Sequence, residues 1–147
     1  MYPNIFFTFI LLFFLFYLSK EDIKTMKLSE TKLRLFGFTG IFYLIYLGLS
    51  NKNINTTNLI LNNLFSMLII YVIMYLISFI SFKILRVKSL GLGDIKLSSI
   101  SSIWLGIEFT FLSLCISFLL SAVYSINGKI TKKFKPFQQY PFAPFLS

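Results

Sequence analysis

The chain contains no histidine and a single cysteine, Cys115, which lies inside an apolar run. Without imidazole and with one thiol, neither a zinc site nor a disulfide framework can be built. Cys115 reads as a small buried residue. Charge is scarce too: only 13% of the 147 residues are charged, five are acidic and two of those are aspartates. Against this stand 56% hydrophobic residues, 19 of them Phe, and a mean hydropathy of +0.80. That balance excludes an ordinary soluble domain and marks an integral membrane protein. The formal charge of +9 does not indicate a nucleic-acid partner, because the basic residues fall in short segments between apolar runs, where they act as topology signals. The N-terminal Met1-Tyr2-Pro3-Asn4 has no basic stretch and no small-residue cleavage site follows, so the first apolar run reads as a retained membrane helix.

The fold class expected is all-α: a polytopic membrane bundle of about five transmembrane helices forming one domain over residues 1–147. Apolar runs cover about Pro3 to Ser19, Leu33 to Ser50 and Leu59 to Phe82, each near the ~20 residues that cross a bilayer. A fourth, from about Asp94 to Ile107, is short and carries Ser98, Ser99, Ser101 and Ser102. A fifth runs from about Phe109 to Ile126, and Gly106-Ile107-Glu108 leaves room only for a tight turn between the last two. With five crossings, Lys52 alone among the 14 basic residues falls on one side, which puts the N-terminus outside and the C-terminus in the cytoplasm. The same count places Asp22 and Asp94 together on the cytoplasmic side.

A carboxylate in a membrane helix is costly, roughly 2.5–3.5 kcal/mol at the bilayer centre and less near its surface, so each aspartate asks for a reason. Both begin an Asp-Ile-Lys triplet, and Gly91 and Gly93 precede Asp94. Two carboxylates sharing one proton can activate a water with one member and a peptide carbonyl with the other. Such a pair within a few Å titrates as a unit. Gly91 and Gly93 would let an extended substrate approach the backbone. Lys24 and Lys96, at i+2, would point away from the carboxylates on a helix. A second reading stays open: Gly-Leu-Gly-Asp before a helical run is also a loop and an N-cap, with Asp94 satisfying free amides.

Read together, these stretches resemble the type IV prepilin peptidases, membrane aspartyl proteases with a Gly-x-Gly-Asp motif. Asp22-Ile23-Lys24-Thr25-Met26-Lys27-Leu28-Ser29 is similar to the family's first motif. Gly91, Gly93, Asp94 and Lys96 match its Gly-x-Gly-Asp-x-Lys, and Pro141-Phe142-Ala143-Pro144-Phe145-Leu146 resembles its Pro-Phe-Gly-Pro-Phe-Leu. The resemblance implies catalysis by Asp22 and Asp94, with Lys96 and Pro144 as supporting motif positions and no cofactor. It implies prepilin-like substrates, cut at the cytoplasmic face of a bacterial inner membrane between a basic leader and an apolar stem. Ser29 and Ala143 depart from the family's proline and glycine, and family members continue into a further membrane helix beyond the position of Ser147. One cysteine cannot supply the paired Cys-x-x-Cys motifs of full-size members, so no methyltransferase activity is expected. The alternative is a catalytically inactive membrane subunit, an assembly or transporter component that keeps the fold.

Other features read as packing. Ser113, Ser117, Ser121 and Ser125 form one stripe, a small-residue contact face, and Gly37 and Gly40 read likewise. The Phe residues of the first run surround their helix, which suits lipid and neighbouring helices. Trp104 is expected at the outer interface. The Asn55-Thr56-Thr57 sequon reads as chance. Pro136, Pro141 and Pro144 oppose one straight C-terminal helix.

Overall fold

The computed structural model describes residues 5–25, 28–50, 55–86, 90–130 and 143–146, and all regular structure among them is helical. The elements are α1 (Ile5–Thr25), α2 (Glu30–Ser50), α3 (Thr56–Leu85), α4 (Leu92–Ile130) and the single-turn α5 (Ala143–Leu146). Met26, Lys27, the 51–54 segment, Ser89 and Pro136 to Phe142 lie outside the described residues.

Side-chain ties order the helices. Lys32 reaches Glu21, and the Phe7 ring meets Tyr43 at 5.1 Å, so α1 and α2 run antiparallel. Lys96 pairs with Glu30, and Trp104 reaches Phe36, so the first half of α4 runs parallel to α2. Ser78 donates to the Leu90 carbonyl and Asn63 to that of Ile103, so the same half runs antiparallel to α3. The end of α1, the start of α2, the end of α3 and the start of α4 therefore share one end of the bundle.

The surface is inverted relative to a soluble protein. Phe9, Phe13, Phe16, Leu61, Phe65, Leu68, Phe109 and Leu119 are exposed, while Ser66, Ser98, Ser99, Ser101, Ser102, Thr110 and Ser117 are buried. Burying serine in apolar surroundings requires a bonded hydroxyl, and the helix supplies the acceptors. Ser98 donates to the Asp94 carbonyl at 2.8 Å, Ser101 to Leu97 at 2.9 Å and Ser102 to Ser99 at 2.7 Å. The fourth segment is thus polar because it occupies the bundle interior. This is a helical membrane protein.

Among the described residues, three helices are long and apolar enough to cross a membrane: Glu30–Ser50, Thr56–Ile84 and Leu92–Asn127. The expected five are not present as separate elements. Helix α1 keeps its helical hydrogen bonding beyond the apolar run and so takes Lys20, Glu21, Asp22 and Lys24 into its last turns. The fourth and fifth segments are one element, broken only at Gly106, whose φ of 74° and ψ of 176° lie outside helical space. That break frees the Ile103 carbonyl from its partner one turn on, and the Asn63 side-chain amide donates to it at 3.0 Å. Thr110 Oγ1 in turn donates to the Gly106 carbonyl at 2.6 Å.

Trp104, two residues before the Gly106 break, is packed inside the bundle: it is 7% exposed, its ring stacked against Phe36 and Tyr43 at 5.7 and 5.3 Å. Gly40, with no side chain, makes the space for its indole. Cys115 is exposed rather than buried, on the outward face of α4. The small residues do act as contact faces. Gly37 and Gly40 meet Ile100, Ile103 and Trp104, and the Ser117 hydroxyl reaches the Phe145 carbonyl of α5 at 2.6 Å.

Candidate active site

Asp22 sits in the last turn of α1 and is only 5% exposed. Leu18, one turn earlier on the same face, is fully buried in the main core, so that face of the helix is turned inward along its last turns. The adjacent Glu21 points to α2, where Lys32 Nζ meets its Oε1 at 3.0 Å. The same ammonium lies over the Tyr17 ring, 4.5 Å from the centroid.

Asp94 is the third residue of α4 and half-buried. Helix α4 opens at Gly91, whose carbonyl accepts from Ile95 N–H at 3.3 Å, so Gly91 takes the cap position and Asp94 does not. The Gly91 N–H donates back to the Asp94 carboxylate. This is half of a capping box, in which the third residue of the helix reaches the cap residue's own amide. A Cβ on Gly91 would stand 3.2 Å from Asp94 Oδ2. Asp94 Oδ1 is buried and has no hydrogen-bond partner among the described residues.

The two aspartates are neighbours in space: Asp22 acts on Asp94 directly as a like charge. Carboxylates far apart in sequence are thus near enough to repel each other at the end where α1 stops and α4 begins. Lys96, as expected, turns away from Asp94 and pairs with Glu30, while Lys24 is exposed. The glycines divide their roles. Gly91 is exposed with Asp94 beside it, whereas the space before Gly93 is filled by Leu28, whose Cβ and Cδ1 would each lie 3.3 Å from an added Cβ. Pro144 is half-buried in α5, which packs on α1 and α4. A cavity of 270 Å³ between α2, α3 and α4 is lined by Leu33, Met67, Tyr71, Ile100, Glu30 and Lys96, and neither aspartate lines it.

Residues 9–126 match the type IV leader peptidase family. The match contains both aspartates and the whole Gly91 to Lys96 segment. The chain belongs to the type IV leader peptidase family. No curated protein and no solved structure matches it. Membership in the leader peptidase family makes this a membrane protein of protease type. The matched stretch leaves α5, with Pro144, outside it.

Sequence reasoning missed three participants at this end of the leader peptidase fold: Leu28 over Gly93, and Glu21 and Glu30, each paired across helices. The only signal for the glutamates was their position beside a helix end. No linear spacing marks partners 11 and 66 residues away.

Proposed function

We propose that this leader peptidase homologue is an aspartic endopeptidase that removes the basic leader of type IV pilin-like precursors, with Asp22 and Asp94 as its catalytic pair. The observation that carries the reading is the approach of two carboxylates from distant helices, both inside the family match. In the reaction, one carboxylate takes a proton from water as its oxygen attacks the scissile carbonyl carbon, and the other donates to the carbonyl oxygen. Collapse of the tetrahedral intermediate returns that proton to the pair while the leaving nitrogen accepts one, so a carboxyl acid and an amine depart. The pair, rather than either member, is the titrating unit. Gly91, exposed beside Asp94 and without a side chain, lets an extended substrate approach. Lys96 and Pro144 support the motif through the packing of α4 and α5.

The same reading gives topology. A straight 39-residue helix would be nearly 60 Å long against ~30 Å of hydrocarbon, so the break at Gly106 serves as a turn between two crossings. With α1 this makes five spans, the N-terminus outside and the aspartates beneath the cytoplasmic leaflet of a bacterial inner membrane, in agreement with the basic-residue asymmetry. Neither metal nor cofactor is required, and methyltransferase activity is not expected.

The test is co-expression with a prepilin-like precursor. Wild type shortens the precursor by its leader, whereas Asp22→Asn and Asp94→Asn each abolish cleavage and still insert into the membrane. Normal cutting by either variant refutes the assignment. Absence of cutting by wild type itself supports the non-enzymatic assembly subunit instead.

A further inference from the structure

Helices α1 and α4 carry the two aspartates and yet make almost no direct backbone contact among the described residues; α2 and α5 are the elements that touch both. The start of α2 is built for that task. Glu30 and Lys32, two residues apart, project to different sides of their helix. Lys32 reaches α1 at Glu21, the residue before Asp22, and Glu30 reaches α4 at Lys96, two residues after Asp94. The polarities alternate, acid to base on one side and base to acid on the other. The Glu21 and Lys32 side chains are largely shielded, at 20% and 33% exposed, and Lys32 is also fixed over the Tyr17 ring. Glu30 has Arg34 as a second cation at 3.4 Å on its own helix, which holds the carboxylate at the α2 surface facing Lys96.

We propose that the first turn of α2 is a bracket that sets the separation of the two aspartates, with Glu30 and Lys32, through Lys96 and Glu21, as positioning residues. Ion pairs at such exposure contribute little to global stability. Their leverage is geometric, because a shift of ~1 Å between reacting groups changes a rate by about a hundredfold. The inference deepens the peptidase reading and rests on it for its purpose, but its geometry can be read without any proteolysis.

The experiment uses the full chain in lipid vesicles with Cys115→Ser, Asp22→Cys and Asp94→Cys combined, and follows disulfide formation between positions 22 and 94 under a mild oxidant. Emission from Trp104, the only tryptophan and a core residue, verifies that each variant keeps its bundle. Adding Lys32→Glu or Glu30→Lys is expected to slow the cross-link about tenfold, as a displacement of roughly 0.5 Å would on that scale. Pairing Lys32→Glu with Glu21→Lys, or Glu30→Lys with Lys96→Glu, restores it. Unchanged rates in the single reversals, no recovery in the swaps, or no cross-link in the parent pair overturns the bracket. A second arm in the native aspartate background measures precursor cleavage: single reversals lower kcat with KM little changed, and the swaps recover it. If wild type cuts nothing, the peptidase reading falls while the cross-linking arm still decides the bracket.

Discussion

Replacing Gly40 with alanine adds one methyl group to α2, and the structure says where it goes. The new Cβ would lie 2.7 Å from Trp104 Nε1, 3.0 Å from its Cδ1 and 3.1 Å from Ile103 Cγ2. The indole cannot yield sideways, because Phe36 and Tyr43 stack on it, and its Nε1 donates to the Phe36 carbonyl at 3.1 Å. In a bilayer helices are held together by packing and hydrogen bonds rather than by hydrophobic expulsion, so this contact weighs heavily. Overpacking of this kind costs about 1–3 kcal/mol. A displaced indole also gives up its hydrogen bond, roughly 1 kcal/mol. The gain in helix propensity from glycine to alanine offsets up to about 1 kcal/mol. The net expectation for Gly40→Ala is a loss of roughly 1–3 kcal/mol. Gly37 is the internal control: its added Cβ would meet only Ile100 Cγ2, at an ordinary 3.5 Å. Gly37→Ala is therefore expected to be neutral or up to about 1 kcal/mol more stable. Reversible unfolding in mixed micelles, followed by the emission of the single tryptophan, measures both. Equal midpoints for Gly40→Ala and wild type with unchanged emission, or an equal loss in Gly37→Ala, would refute the reasoning.

Gly106→Ala forces a side chain into a backbone region that only glycine adopts freely, so unfolding in the same micelles should show a loss of about 1–3 kcal/mol. Asn63→Leu removes the amide that holds the freed Ile103 carbonyl; about 1–3 kcal/mol is expected to be lost, and faster amide exchange around Gly106 would report the opening. For cleavage of a precursor by the vesicle-embedded protein, a carboxylate pair predicts a two-limbed pH profile, rising as the first proton leaves and falling as the second does. A rate that is flat across the carboxylate range argues against paired aspartates.

Much of this architecture was legible in the linear chain because lipid imposes its own grammar: apolar runs of sufficient length marked α2, α3 and both parts of α4 to within a few residues. The end of α1 was less visible, since hydrophobicity stops at Ser19 while helical hydrogen bonding continues to Thr25 and carries Asp22 into a buried helical position. The burial of Trp104 was not legible because its environment is set by Gly40 on another helix, and complementarity of that kind has no period in the sequence. The serines of the fourth segment would weaken insertion if they faced lipid; bonded to their own helix carbonyls, they line the interior. For the site, residue types and order pointed to Asp22 and Asp94, but the ties through Glu21, Lys32 and Glu30 connect helix ends whose adjacency only the folded bundle reveals.

Asp94 also shows that a structural and a chemical reading of one residue need not compete. A helix N-terminus offers free amides, and a carboxylate at its third position is stabilised both by reaching back to the cap and by the helix dipole. In this chain that duty falls on the side facing Gly91, where an added Cβ would stand 3.2 Å from Oδ2. The carboxylate has a second oxygen. Oδ1 is withdrawn from solvent without a hydrogen-bond partner among the described residues, and Asp22 lies near enough to act on the same group. A residue serving only as a cap would gain nothing from a second carboxylate brought in from another helix, because like charges repel. In the proposed pair, a proton held between the two groups would relieve that repulsion.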